Sequence, residues 1–232
     1  MARKPQQQRS KATVDAIIEA GFICVAERGS AAATTRHIAD IAGISVGSLY
    51  EYFTNKEAIF EAMNQRFVAD VVTMLQPLIP ALVRLSIGDA IKLMLEHFGE
   101  FLSKNDHRYL KCARQAMRVD IQDYMGPITR LLMEIMMQHV MHNPEHMRLR
   151  NIPAMSYIFI NGGIFSVLRH LSDPAPPITY EELGQGLADM VDHYVQQELL
   201  LRRSLSLRPL QLRIESEQKP ERAFSTFRSL TR

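Results

Sequence analysis

Apolar side chains recur at helical spacing along most of the chain. In residues 12–28 they are Val14, Ile17, Ile18, Phe22 and Val25, one face of a helix that Gly29 can end. Thr34 sits where a cap opens a short helix to Ala42, and Gly43 follows as its left-handed stop. Ser45 caps the next helix, with Ile44 and Leu49 spaced as a hydrophobic staple. Asn55 caps a longer helix through Ile59, Met63 and Phe67 to about Leu75, stopped by Pro77 and Pro80. Further helices are predicted over 89–103, 107–123, 127–142, 153–171 and 180–203, the last opened by a capping box of Thr179 and Glu182. Leu205, Leu207, Leu210, Leu212 and Ile214 leave one strand-like trace, interrupted by Pro209. The expected class is all-α, with no β-rich region and no internal repeat.

Composition narrows the partners. The 232 residues are 47% hydrophobic and can bury a core. Two distant cysteines, Cys24 and Cys112, argue against a disulfide scaffold and fit a cytoplasmic protein. No uninterrupted apolar run suggests a membrane span, and the N-terminal charges precede no apolar leader. The net charge of +2 is unevenly placed: Arg3, Lys4, Arg9 and Lys11 give residues 1–11 four positive charges, and residues 202–232 carry eight basic against three acidic residues. An acidic body with basic ends points to a polyanion near one or both ends; solvated tails give the same pattern.

The glycine between two short helices, over about twenty residues, fits a helix-turn-helix, whose second helix enters the DNA major groove. Small residues at its first turn, Ser45, Gly47 and Ser48, let the backbone approach DNA closely, and free N–H groups there suit a phosphate. Tyr50 and Tyr52 bring hydroxyls for phosphates, or rings for thymine methyls.

The stretch T-T-R-H-I-A-D-I-A-G-I-S-V-G-S-L-Y-E-Y-F-T-N-K-E-A-I at 34–59 resembles the DNA-binding region of the TetR/AcrR family of bacterial repressors, and I-I-E-A-G-F-I-C-V-A-E-R-G at 17–29 resembles its first helix. The resemblance covers roughly residues 10–67 and rests on I-A-x-x-A-G-x-S and L-Y-x-Y-F-x-x-K occurring together. Gly21 and Val25 depart from it, where the family usually has alanine and phenylalanine. It implies that Thr34, Thr35 and Arg36 contact phosphates, that Ser45, Val46, Gly47, Ser48 and Tyr50 face the groove, and that Tyr52 and Lys56 clamp the backbone. Ile38, Ala42, Leu49 and Phe53 would hold the two helices at their angle. From the residues alone, other readings stand. Thr34 and Ser45 are caps whatever else they do. The two tyrosines lie about 200° apart on a helix, so one can face the core. Lys56 can be a solvated lysine.

The organisation expected is a basic arm at 1–11, a DNA-binding domain at 12–56, a helical effector-binding and dimerisation domain at 57–203, and a basic tail at 204–232, for which disorder is one reading. The resemblance implies a homodimer formed through 153–171 and 180–203, and both segments are rich in apolar residues. Gly162-Gly163, mid-helix, suits close helix approach, against a partner or within one subunit. Met133, Met136, Met137 and Met141 share one helix, with Met117 and Met125 before it, and methionine adapts to irregular apolar ligands. A pocket for an apolar or amphipathic effector is expected, lined by Phe98, Phe101, Leu102, Tyr109, Met117, Met133 and Met137; ordinary core packing is the alternative for each. The function expected is thus a sequence-specific repressor of double-stranded DNA, with no cofactor and no catalytic or metal site. Two alternatives belong to other classes. One is sequence-independent DNA binding, which the acidic body disfavours. The other is a helical metal enzyme using His139, His142 and His146, for which no H-E-x-x-H motif is present and which Pro144 interrupts; solvated side chains are the plainer reading of the three.

Overall fold

The computed structural model describes residues 4–116 and 124–217. Nine α-helices follow one another there, with no strand among the described residues. They are α1 (Lys4–Arg28), α2 (Thr35–Ala42), α3 (Val46–Tyr50), α4 (Lys56–Leu75), α5 (Ile79–Leu82), α6 (Ile87–Ala116), α7 (Gly126–His142), α8 (Ile152–Ser172) and α9 (Tyr180–Glu217).

The caps are where the sequence placed them. Thr34 accepts from the His37 amide at 3.2 Å, Ser45 from Ser48 at 3.0 Å and Asn55 from Ala58 at 2.8 Å. Gly43 turns at φ 70°, a region closed to most side chains, and ends α2 with its N–H on the Asp40 carbonyl.

Three expectations are corrected. First, α1 begins at Lys4, so most of the expected arm at 1–11 is the first two turns of a helix. Second, the helices expected at 89–103 and 107–123 are one, α6, as far as Ala116; the rest of that prediction lies outside the described residues. Neither Gly nor Pro separates Leu102 from Tyr109, and Phe101, Leu102 and Cys112 keep one buried face across the expected break. As expected, α4 stops at Leu75, just ahead of Pro77 and Pro80. Each occupies the first turn of a new short helix, where a missing N–H costs nothing. Third, α9 continues through Pro209 to Glu217, so the strand-like residues 205–214 are helical and the expected tail at 204–232 opens as helix. Leu, Arg, Gln and Glu dominate that stretch and prefer a helix.

The core has three parts. Ile17, Phe22, Ile38, Leu49 and Ile59 form the first, among α1–α4. Gly21 belongs there, and its lack of a side chain is occupied space: a Cβ would lie 2.6 Å from the Met63 Sδ. The second part joins α4 to α8, and the third binds α8 to α9 through Met155, Val191 and Val195. The central α6 packs against α1, α4, α8 and α9. Where α1, α4 and α6 meet, Tyr109 stacks on Phe101 at 4.9 Å and meets Phe22 and Phe67 edge-on at 5.0 and 5.4 Å. Its hydroxyl donates to Asp70 at 2.6 Å. Ion pairs Arg66–Asp15 and Arg108–Glu19 tie the same helices on the outside.

Candidate nucleic-acid interface and interior cavity

α3 is one and a half turns long and cannot persist alone. Leu49 anchors it inside the first core, fully buried. Ser45 also donates its hydroxyl to Ser48 at 2.9 Å, tightening the first turn. The Tyr50 hydroxyl lies 3.3 Å from Thr35 Oγ1, linking the end of α3 to the start of α2. Helix start and helix end are thus held as one surface.

The sequence-predicted DNA residues divide by exposure. Thr34, Arg36, Ser45, Gly47 and Tyr50 are exposed, and Thr35, Val46 and Ser48 are partly so. Tyr50 is 50% exposed, whereas Tyr52 is half-buried against the first core, so the two tyrosines do turn to different sides. Lys56 reaches the Ser30 carbonyl at 3.4 Å and lies 5.5 Å from the Phe60 ring. Phe53 and Ala42 pack at the margin of that core, with Ile38 and Leu49 at its centre.

Beneath this surface, α4 runs from Lys56 into the body. Its second half, with Phe67, Val71 and Leu75, walls a cavity of about 230 Å³ together with α5 to α9. Phe98, Met125, Met136, Phe159 and Val191 show its apolar character, and no Lys, Arg, Asp or Glu lines it.

Of the residues expected to line a pocket, Phe98 does. Phe101 and Leu102 are buried in the second core, and Tyr109 sits at the α1–α4–α6 joint rather than on the cavity. Met133 is half-buried away from the cavity, Met137 is exposed, and Met117 lies outside the described residues. Of the methionines on that helix, Met136 lines the cavity and Met133, Met137 and Met141 do not. The walls from α4 and α8 were missed because their inward residues look like ordinary core in a sequence. A lone polar residue amid apolar ones, Ser156, was the available sign.

His139 and His146 are not the solvated side chains the sequence suggested. His139 and His146 are 3% and 8% exposed, and their rings stack at 5.2 Å. Burial lowers the proton affinity of both, and for His139 the neighbouring His146 adds to it. His142 is exposed. Among the described residues no group of three or more His, Cys, Asp or Glu side chains is arranged to hold a metal ion.

α8 carries a second exposed surface. Tyr157, Ile158 and Phe165 are 67%, 64% and 59% exposed, and a Cβ on Gly162 would meet nothing within 4 Å. Met190, Tyr194 and Leu201 continue the apolar surface on α9. By length and composition alone, α8 is apolar enough to cross a membrane, although no uninterrupted apolar run in the sequence marks it.

Residues 17–63 match the family described as bacterial regulatory proteins, tetR family. No curated protein matches the chain. Solved structures share the fold. The fatty acid degradation regulator FadR from Bacillus halodurans superposes with a TM-score of 0.61 at 17% identity, over 77% of this chain and 94% of its own. A TetR-family transcriptional regulator from Mesorhizobium loti MAFF303099 gives 0.53 at 16%, over 81% and 96%. The regulator FadR from Bacillus subtilis, solved in complex with stearoyl-CoA, gives 0.54 at 15%, over 76% and 96%. Such proteins are transcriptional regulators, not enzymes. Residues 17–63 thus carry the helix-turn-helix region of the tetR family, and the helical body shares the fold of these solved regulators.

Proposed function

We propose that this regulator is a repressor, bound as a homodimer to a palindromic operator and released when a small apolar or amphipathic effector fills the cavity. The observation that carries the reading is the course of α4: it starts beside the recognition helix at Lys56 and walls the cavity with Phe67, Val71 and Leu75. A change in the cavity therefore acts on the same rigid element that positions α3.

On DNA, Thr34, Thr35 and Arg36 meet phosphates at the start of α2. Ser45, Val46, Gly47, Ser48 and Tyr50 face the major groove, and Tyr52 and Lys56 hold the backbone. The exposed small side chains of α3 support this, as does the Thr35–Tyr50 contact that fixes the surface. The dimer forms through 153–171 and 180–203, where Ile158, Phe165 and Met190 present apolar surface to solvent and Gly162 leaves room for a partner helix. Symmetric pairing sets two recognition helices about 34–36 Å apart, one turn of DNA. An effector that prefers another α4 position by about 3 kcal/mol weakens operator binding about a hundredfold. An apolar lining suits an aliphatic effector, and the same-fold regulator from B. subtilis holds an acyl-CoA. A cytoplasmic location follows from the DNA target.

Selection of binding sites from random duplexes tests the proposal. It predicts a palindrome, held at least about 10³-fold better than random DNA near 150 mM salt. Equal retention of all sequences would instead support the sequence-independent alternative.

A further inference from the structure

Ser156 stands on the cavity side of α8, 2% exposed. Its Oγ is one of two buried side-chain polar atoms among the described residues with no hydrogen-bond partner. Such an atom costs stability, and a methyl group in its place would not. The other polar side chain on the cavity wall is already engaged: His139 has Asn143 at 3.5 Å from Nε2 and the Leu82 backbone as a further partner. Burial holds that ring neutral, so it supplies no positive charge. The remaining lining is aliphatic, aromatic or methionine, without a formal charge.

We propose that Ser156 anchors the effector, and that the effector is an aliphatic molecule whose buried end carries one uncharged hydrogen-bonding oxygen, such as an alcohol, ketone or ester. The inference rests on the cavity being the effector site. An apolar body fills the space between Phe98, Phe159 and Val191, and its single oxygen pairs with the Ser156 hydroxyl. A carboxylate at that depth would leave water with no cation to meet it, which is prohibitive. An acid could enter only tail first, with its charge left outside and Ser156 unused.

Calorimetric titration with decan-1-ol, decane and decanoate, matched in chain length, tests this on the full chain. Decan-1-ol should bind tightest. Ser156→Ala should weaken decan-1-ol about fivefold to tenfold, the worth of one hydrogen bond, and leave decane and decanoate unchanged. The unliganded Ser156→Ala protein should melt no lower than the parent, which separates a lost anchor from a damaged fold; Ser156→Cys, of similar size and a weak donor, should fall between. Decanoate binding as tightly as decan-1-ol, or decan-1-ol binding equally to parent and Ser156→Ala, overturns the anchor while leaving the cavity as effector site. Binding of none of the three overturns both, and DNA selection then still judges the regulator by itself.

Discussion

Tyr109 offers the sharpest test of how the DNA-binding helices are joined to the body. Its ring touches Phe101, Phe22 and Phe67, and its hydroxyl donates to the half-buried Asp70. Burial, then the Asp70 hydrogen bond, raise its pKa, so it stays protonated as a donor throughout the working range. Tyr109→Phe keeps the ring and removes the hydrogen bond. A hydrogen bond to a charged group is worth about 1.5–3 kcal/mol, and partial exposure of Asp70 reduces this to about 1–2 kcal/mol. Tyr109→Ala also removes the ring from its three partners. Aromatic truncation costs about 3–5 kcal/mol, to which each ring pair contributes about 0.5–1.5 kcal/mol. Urea unfolding followed by circular dichroism should give these two losses in that order, with the decan-1-ol affinity of Tyr109→Phe unchanged because the residue is off the cavity. A loss below about 0.5 kcal/mol for Tyr109→Phe, or a change in ligand affinity without a change in stability, would refute this reading of the joint.

Three further outcomes are expected. Ser45→Ala and Thr34→Ala each remove an N-cap and should each lower stability by about 1 kcal/mol in the same unfolding assay. His139 and His146 have lowered proton affinity in the folded protein, so their contribution to stability is fully present above the ordinary imidazole value near 6.5 and is lost as pH falls from there through the folded value. Melting temperature against pH should therefore decline below about pH 6.5, and His146→Phe should flatten that decline. Ile158→Glu sets a charge on the exposed α8 face and should turn the dimer into a folded monomer by light scattering; a persistent dimer would place the interface elsewhere.

The helix-turn-helix was legible because its signals are local. Thr34, Gly43, Ser45 and Asn55 act on their own neighbours within a few residues, so spacing alone located α2, α3 and the start of α4. The cavity was not, because its lining comes from six helices, α4 to α9, far apart in the chain. Whether Met136 or Met137 turns inward depends on the roll of α7 against α8, which no local pattern sets. Tyr109 misled for a similar reason: a half-polar aromatic looks the same whether it lines a pocket or fastens three helices. Gly21, an apparent oddity in the first helix, became intelligible only beside Met63. His139 and His146 looked solvated because the chain reversal that stacks them is a tertiary feature.

The central claim is that α4 couples the cavity to the recognition helices. It is tested most directly by measuring one linkage from both ends: the affinity for a selected operator with and without saturating decan-1-ol, and the affinity for decan-1-ol with and without operator. The account predicts that each ligand weakens the other by the same factor, about fivefold or more. Full operator affinity with the cavity filled would contradict it.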